Sequence, residues 1–186
     1  MGQSKAEFCK IQGLVLIHPK VHEDARGYFM ETYQEKELAE FGIAEHFVQD
    51  NEAKSTKGVL RGLHFQKNYP QAKLMRCIKG QIYDVAVDLR NGSPTFGEWF
   101  GALLTEDNKN QLFIPKGFAH GYYVLSETAL IAYKCTDFYH PEDEDGVRYD
   151  DGELQIDWPI PVGTVPVLSE RDKKAQSFAE YKEKRF

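Results

Sequence analysis

The segment RGLHFQ, residues 61–66, carries the side chains whose types and spacing are best suited to chemistry. Arg61 and His64 interrupt the otherwise apolar, strand-like run VLRGLHF. A polar side chain buried in such a run costs free energy unless it has a partner, so two of them beside Gly62 indicate a site rather than a core. Histidine is also the side chain best suited to move a proton near neutral pH. The segment therefore predicts a proton-transfer site centred on His64.

Lys73 begins the next predicted strand, and we expect it to lie beside His64 across a hairpin. A cation there would lower the pKa of His64 and keep the imidazole neutral, ready to accept a proton. In a regular strand Arg61 and His64 would point to opposite faces of the sheet. Both reach one pocket only if Arg61 lies at the strand entrance or Gly62 forms a bulge. The alternative for His64 is a core histidine bonded to a nearby backbone group.

His120 follows a tight Pro-Gly turn in PKGFAHG, residues 115–121. This spacing resembles the second half of the cupin signature, in which such a histidine binds a metal ion. The first half normally carries a His-x-His pair and a glutamate, whereas here His64 is followed by Gln66. A catalytic metal normally takes at least three protein ligands. We therefore predict no metal site, and a turn with an incidental histidine remains the alternative for His120.

Two further residues have both a structural and a chemical interpretation. Tyr133 lies in the apolar run LIAYKCTDFY, where it is either a packing residue or a buried phenol that serves as a general acid. Asp172 lies in LSERD, and from the sequence alone it is a first-turn helix charge. The other tyrosines of this region, Tyr122, Tyr123 and Tyr139, are predicted to be packing residues.

Composition narrows the class of protein. The 186 residues suffice for a single domain, 1–186, with a substantial core. The net charge of −6 argues against a generic nucleic-acid binder, because phosphate affinity needs a basic face. The three scattered cysteines form no CxxC pair and fit a reducing cytoplasm. No apolar run is long enough to cross a bilayer, so no membrane partner is expected.

Short segments rich in β-branched and aromatic residues dominate the chain, separated by turn formers such as Lys79-Gly80. Many short strands at regular spacing indicate a β-sandwich or barrel. Two helices are predicted, at 34–41 and at 169–185, the second with Ser169 as its N-cap. The acidic segment 140–152 is predicted to be a loop with mostly solvated charges. The predicted strands are 14–19, 27–33, 46–53, 58–65, 72–80, 81–89, 98–104, 111–115, 121–125 and 129–139.

Taken together, the segments resemble the dTDP-4-dehydrorhamnose 3,5-epimerase family. The resemblance implies a mainly β, cupin-type jelly-roll with a few short peripheral helices, and a homodimer with exchanged strands. It also implies a cofactor-free cytoplasmic enzyme that inverts C3 and C5 of dTDP-4-dehydro-6-deoxy-D-glucose on the way to dTDP-rhamnose. The matching motifs run in order through DARGYFMETY, FVQDN, KGVLRGLHFQ, KLMRCIKGQIYDVAVDLRNGSPTFG, LFIPKGFAHGY, YKCTDFYHP, IDWP and LSERD.

The resemblance also implies roles for individual residues. His64 would be the base, Tyr133 the acid on the opposite face of the sugar, and Asp172 the carboxylate that orients the histidine. Lys73, with Arg61 nearby, would stabilise the enolate oxygen. Two positions depart from the family pattern, with Asp145 where relatives often have Glu, and Arg171 where they often have Lys. The implied substrate-binding residues are Arg26, Phe29, Glu31, Gln49, Asn51, Arg61, Lys73, His120, Asp145 and Arg171, with Arg26 reaching the partner subunit's site.

Three alternatives stay open at this point. A relative that acts at one carbon only, or a ketoisomerase on a related dTDP-deoxysugar, would share the base and differ in the pocket. A metal-dependent cupin oxygenase would need a stoichiometric transition metal. A non-catalytic sugar-binding jelly-roll would have no turnover, so a substitution of His64 would change no activity.

Overall fold

The computed structural model describes residues 4–185, and β-strands dominate this part of the chain. The predicted mainly β fold with few helices is confirmed. The strands are β1 (Lys5–Phe8), β2 (Val15–His18), β3 (Val21–Asp24), β4 (Gly27–Met30), β5 (Gln49–Thr56), β6 (Leu60–Gln66), β7 (Lys73–Lys79), β8 (Gln81–Asp88), β9 (Trp99–Thr105), β10 (Gln111–Ile114), β11 (Phe118–Val124), β12 (Thr128–Cys135) and β13 (Glu144–Gly146). The helices are α1 (Glu35–Glu40), a short 3₁₀ helix (Asp172–Lys174) and α2 (Phe178–Arg185).

Two antiparallel sheets form a jelly-roll sandwich. One sheet has the strand order β1-β2-β10-β7-β12-β5, and the other has the order β13-β6-β11-β8-β9. A separate two-stranded ribbon pairs β3 with β4. β11 is buried at every position because it lies between β6 and β8 and both of its faces are covered. Within residues 4–185, no helix is long and apolar enough to span a membrane.

The main core lies between the two sheets. It joins Met75 and Leu112 of the first sheet to Ile82 and Leu104 of the second, all essentially without solvent contact. A second apolar cluster covers the outer face of the five-stranded sheet, where Trp158 and Phe178 of the C-terminal segment pack on strand residues such as Val85. A smaller cluster places Leu38 of α1 against the other sheet. Both faces of each sheet are therefore at least partly covered by apolar side chains.

The predicted hairpin between β6 and β7 is wrong. β6 pairs with β13 and β11, whereas β7 pairs with β10 and β12 in the opposite sheet. The loop of residues 67–72 therefore crosses from one sheet to the other, as connections in a jelly-roll do. Lys73 therefore faces His64 from the opposite sheet, and the two residues do not lie on paired strands.

The predicted helix at 169–185 is also wrong over its first half. Ser169 does accept a hydrogen bond from the backbone N of Asp172, at 3.1 Å, but only a 3₁₀ turn follows. Ala175 has extended backbone angles and ends that turn, and α2 begins at Phe178. The buried Asp151 carboxylate accepts a hydrogen bond from the backbone N–H of Phe178 at 2.8 Å and stabilises the N-terminus of α2. The helix predicted at 34–41 is present as α1, with Gln34 as its N-cap.

The acidic segment 140–152 is not simply a solvated loop. β13 lies within it and pairs with β6, placing Glu144 opposite Gln66 and Gly146 opposite His64. Asp143 is buried and accepts hydrogen bonds from the backbone N–H groups of Asn68 and Tyr69, at 2.8 and 2.9 Å. The charges at 143 and 144 therefore have structural partners, which a charge run does not reveal.

The carboxylate of Asp88 is fully buried, and the hydrogen bonds that it accepts fix the turn after β8. It accepts from Arg90 Nε and Nη2 at 2.9 and 2.8 Å, from Ser93 Oγ at 2.6 Å and from Thr95 Oγ1 at 2.7 Å. Burial alone would raise the pKa of Asp88, but these donors outweigh it and lower the pKa from 3.8 to about 2. Since the folded-state pKa is depressed, the stabilisation is complete above about pH 4 and is lost as the pH falls towards 2.

We expect Asp88→Asn to lower the free energy of unfolding at pH 7 by about 2 kcal/mol, the equivalent of this pKa shift. Urea unfolding of both proteins, repeated at several pH values down to the lowest at which they fold, should show the difference shrinking as the pH falls. The exposed Asp107→Asn is the matched control and should cost little at any pH. A difference between wild type and Asp88→Asn that is independent of pH would contradict this interpretation.

Candidate active site

A cavity of about 660 Å³ opens between the two sheets, and both sheets contribute polar side chains to its wall. The five-stranded sheet supplies Arg61 and His64 from β6 and His120 from β11. The six-stranded sheet supplies Lys73 from β7 and Tyr133 from β12. The remaining predicted residues on the wall are Gln49, Asn51, Arg171 and Asp172.

The predicted irregularity at Gly62 is present and brings Arg61 and His64 to the same cavity. His64 pairs with His120 and Arg61 pairs with Tyr122, so three steps along β6 match two steps along β11. Gly62 has a φ of +123°, and the Gly62–Leu63 peptide bond is cis. A Cβ at position 62 would lie 2.7 Å from the carbonyl oxygen of His120, so only glycine fits here.

His64 and Asp172 form a hydrogen-bonded pair. His64 Nε2 lies 2.5 Å from Asp172 Oδ1, and Asp172 Oδ2 accepts a second bond from Ser169 Oγ at 2.8 Å. Burial would raise the pKa of Asp172, but the bonds from His64 and Ser169 outweigh it and lower the pKa. The ionised carboxylate favours the tautomer with the proton on Nε2, which leaves Nδ1 as the proton acceptor. Asp172 is thus more than the helix charge that the sequence alone indicates.

A second histidine–carboxylate pair lies beside the first. His120 Nε2 is 2.8 Å from Asp84 Oδ1, and Asp84 is fully buried. Within residues 4–185, Asp84 Oδ2 is the buried side-chain oxygen that has no hydrogen-bond partner. Burial lowers the pKa of His120, although Asp84 opposes this effect. Sequence reasoning missed Asp84, yet a charge inside the apolar run IYDVAVD was a usable signal.

Lys73 and Arg61 are two of the cations on the cavity wall. Burial lowers the pKa of Lys73, while Cys135, Glu144 and Asp84 act in the opposite direction. Arg61 donates from Nε to Ser55 Oγ at 3.2 Å, which fixes its guanidinium at the edge of the cavity. An oxyanion formed in this cavity would meet positive charge that is already in place.

Tyr133 lies on the wall opposite His64. It belongs to β12, between Asn51 of β5 and Met75 of β7, whereas His64 belongs to the facing sheet. Burial raises the pKa of the Tyr133 phenol to about 12, so the group is protonated at neutral pH. A proton acceptor and a proton donor therefore face each other across the cavity.

The mouth of the cavity carries Glu144 and Tyr139, which sequence reasoning did not assign to the site. Glu144 Oε1 lies 3.7 Å from His64 Nδ1. Its other oxygen accepts hydrogen bonds from Tyr139 Oη and from Arg171 Nη1, both at 2.5 Å. Tyr139 was predicted to be a packing residue, but its side chain is half exposed and lines the cavity. Within the acidic segment 140–152, Glu144 is the acidic residue that lines this cavity.

Four predicted site residues lie elsewhere in this chain. Arg26 is at the tip of the β3–β4 ribbon, where it pairs with Asp24 and is 89% exposed. Phe29 and Glu31 also do not line the cavity of their own chain. Asp145 points away from it and pairs with Lys67 at 3.5 Å, because neighbouring residues of β13 face opposite sides. Glu144 occupies the place expected for Asp145.

The donor set does not fit a cupin metal centre. Gln66 stands where the signature would have a second histidine, and its amide is bonded to backbone groups of Tyr69, Phe138 and His140. Among the described residues, no group of three or more His, Cys, Asp or Glu side chains is arranged to hold a metal ion.

Comparison with known proteins identifies the family. A protein-family model described as dTDP-4-dehydrorhamnose 3,5-epimerase matches residues 8–180. The dTDP-4-dehydrorhamnose 3,5-epimerases of Methanothermobacter thermautotrophicus and Pseudomonas aeruginosa are 50% and 49% identical to this chain; the first alignment covers 88% of both chains, the second 95% of this chain and 97% of the relative. The dTDP-6-deoxy-D-glucose-3,5-epimerase of Legionella pneumophila, solved with dTDP-4-keto-L-rhamnose, is similar with a TM-score of 0.91 at 50% identity, over 94% of this chain and 93% of that one. The chain belongs to the dTDP-4-dehydrorhamnose 3,5-epimerase family.

Proposed function

We propose that this enzyme inverts C3 and C5 of dTDP-4-dehydro-6-deoxy-D-glucose and so forms dTDP-4-dehydro-L-rhamnose for dTDP-rhamnose biosynthesis. One observation carries the proposal: the His64–Asp172 pair faces the protonated Tyr133 across one cavity. Inversion at carbon needs a base on one face of the sugar ring and an acid on the other, and these two walls supply them.

The chemistry follows from the C4 ketone. A C–H bond next to a ketone is acidic enough to break, and the electron pair moves to the C4 oxygen as an enolate. His64 Nδ1 takes the proton, and the Asp172 carboxylate stabilises the imidazolium that forms. Lys73, with Arg61 nearby, stabilises the enolate oxygen, and one such donor is typically worth about 3 kcal/mol of barrier.

Reprotonation completes each inversion. Tyr133 donates its proton to the carbon from the opposite face, the C4 ketone re-forms, and solvent exchange resets His64 and Tyr133. The substrate is neither oxidised nor reduced, since one proton leaves and one proton arrives. The same pair acts at C3 and at C5 because both carbons flank the same ketone.

The nucleotide half of the substrate meets a different set of side chains. Gln49, Asn51 and Arg171 all lie on the cavity wall. Arg61 is suited to a diphosphate, because its planar guanidinium donates two parallel hydrogen bonds to an anion. A net acidic protein can hold such a local basic site. Asp145 lies outside this cavity in its own chain, so it is not included in the proposed contacts.

We propose that the active form is a homodimer in which the β3–β4 ribbon reaches the partner's cavity. The ribbon stands apart from both sheets and exposes Tyr28 and Phe29 at 55% and 62%. Exposed aromatic rings next to an exposed arginine, Arg26, are typical of a surface that a partner covers. Arg26, Phe29 and Glu31 would then complete the neighbouring site.

The three free thiols, Cys9, Cys77 and Cys135, fit a cytoplasmic location.

Subunit mixing tests the exchanged ribbon. Arg26→Ala and His64→Asn homodimers should each be inactive, but co-refolding them should restore about a quarter of wild-type activity, since a random mixture is half heterodimer with one intact site in two. His64→Asn mixed with Asp172→Asn is the matched control, because both residues lie in the same chain's site and no intact site can form. A mixture of the first pair that stays inactive would contradict the exchange.

Product analysis tests the reaction itself. The purified enzyme is incubated with dTDP-4-dehydro-6-deoxy-D-glucose alone, and the sugar is examined by NMR. Inversion at both carbons is the expected result. Inversion at one carbon would instead support the single-carbon epimerase, and an unchanged sugar would contradict both.

A further inference from the structure

Two glutamine side chains from opposite sheets hold the backbone of residues 138–140 at the cavity mouth. Gln66 of β6 donates from Nε2 to the carbonyl oxygen of Phe138 at 3.3 Å and accepts at Oε1 from the backbone N–H of His140 at 2.7 Å. Gln49 of β5 accepts at Oε1 from the backbone N–H of Tyr139 at 3.0 Å. Three successive residues of the mouth are thus bonded to side chains of the two cavity walls.

Gln66 also holds the other side of the mouth. Its Nε2 donates a second hydrogen bond, at 2.6 Å, to the carbonyl oxygen of Tyr69. The Tyr69 and His140 rings stack with their centroids 4.0 Å apart, so the two segments touch. Gln66 is 7% exposed, and both Nε2 hydrogens and Oε1 are engaged. This amide is therefore a fixed junction between loop 67–70 and segment 138–140.

The junction determines where Tyr139 lies. The neighbours of Tyr139 on both sides are bonded to Gln66, and its phenol donates to Glu144, which also accepts from Arg171. The ring lies at the entrance with 49% of the residue exposed. Loss of the Gln66 bonds would release both neighbours of Tyr139 in the chain, while the Gln49 bond to Tyr139 and the His64–Asp172 bond remain.

We propose that Gln66 is a positioning residue that fixes the mouth and so sets how well the nucleotide part of the substrate is captured, without taking part in proton transfer. This inference rests on the proposed function for the identity of the substrate. Three hydrogen bonds to backbone groups would be lost in Gln66→Met, which keeps the length of the side chain.

The test compares Gln66→Met with Gln111→Met by steady-state kinetics. Gln111 is equally buried and donates to the carbonyl oxygen of Thr32 at 3.1 Å, but it does not line the cavity. We expect Gln66→Met to raise KM about tenfold with kcat and its pH profile unchanged within about twofold, and Gln111→Met to leave both constants unchanged. A fall in kcat with an unchanged KM would overturn the proposal, since it would place Gln66 in the chemical step.

Two further measurements keep the proposal falsifiable. Calorimetry with dTDP reports capture without turnover, so weaker dTDP binding by Gln66→Met supports the proposal even if the wild type does not epimerise the sugar. Equal dTDP affinity of Gln66→Met and the wild type would overturn the proposal. If Gln66→Met does not fold, Tyr139→Ala removes the exposed ring that Gln66 holds, and the same rise in KM is expected. An unchanged KM in Tyr139→Ala would overturn the proposal as well.

Discussion

Replacement of His64 by asparagine is expected to lower kcat by about 10³-fold or more, because the imidazole that accepts the substrate proton is removed. Asparagine is smaller than histidine and its amide does not reach Asp172, but His64 is not part of the buried core, so the fold should persist. Exchange of the C3 and C5 protons with solvent should be lost together with turnover. Steady-state kinetics and NMR of the sugar in heavy water measure the two effects.

The control for this experiment is His46→Asn. His46 is highly exposed and lies outside the cavity, so its replacement should leave kcat within about twofold of wild type. If His64→Asn still exchanged the C3 or C5 proton at the wild-type rate, His64 would not be the base. The second pair, His120 with Asp84, would then become the leading candidate.

Tyr133→Phe is expected to separate proton exchange from inversion. The variant loses the phenol proton but keeps His64 and Asp172, so deprotonation and return of a proton on the same face continue. Inversion should fall by about 10²-fold or more, while exchange with solvent stays within about tenfold of wild type. The raised pKa, about 12, keeps the wild-type phenol protonated well above neutral pH, so its loss should affect inversion at every pH between 6 and about 9.

Tyr123→Phe provides the comparison for Tyr133→Phe. Tyr123 is buried in the cluster outside the cavity, and its replacement should change neither rate. Normal inversion by Tyr133→Phe would make Tyr133 a packing residue and leave the opposite-face acid unidentified. Loss of exchange along with inversion would mean that the phenol also supports the deprotonation step.

The part of the fold that depends on local sequence was predictable. Alternating apolar segments and their turns marked ten of the strands near their observed positions. Arg61 and His64 could share a pocket only if Arg61 lay at the strand entrance or the strand were irregular at Gly62, and the structure has the mismatched register at Gly62. Such inferences need only the two-residue period of a strand and the permissive backbone of glycine.

Long-range pairing was not predictable from these patterns. His64 and Asp172 are 108 residues apart, and nothing local distinguishes Asp172 from an ordinary first-turn helix charge. The order of β6 and β7 along the chain favours a hairpin, because sequence neighbours usually pair, but their connection crosses between the sheets. Glu144 has acidic neighbours, so the sequence does not distinguish it from solvated charges. The pairing of β13 with β6 determines that Glu144 is the carboxylate near His64.

The most direct measurement runs the enzyme with dTDP-4-dehydro-6-deoxy-D-glucose in heavy water and locates deuterium in the sugar. Proton abstraction by His64 with delivery by Tyr133 predicts deuterium at both C3 and C5 in the inverted product, since each carbon loses its own proton and receives one that has exchanged with solvent. Inverted product without deuterium at either carbon would contradict proton abstraction at this site.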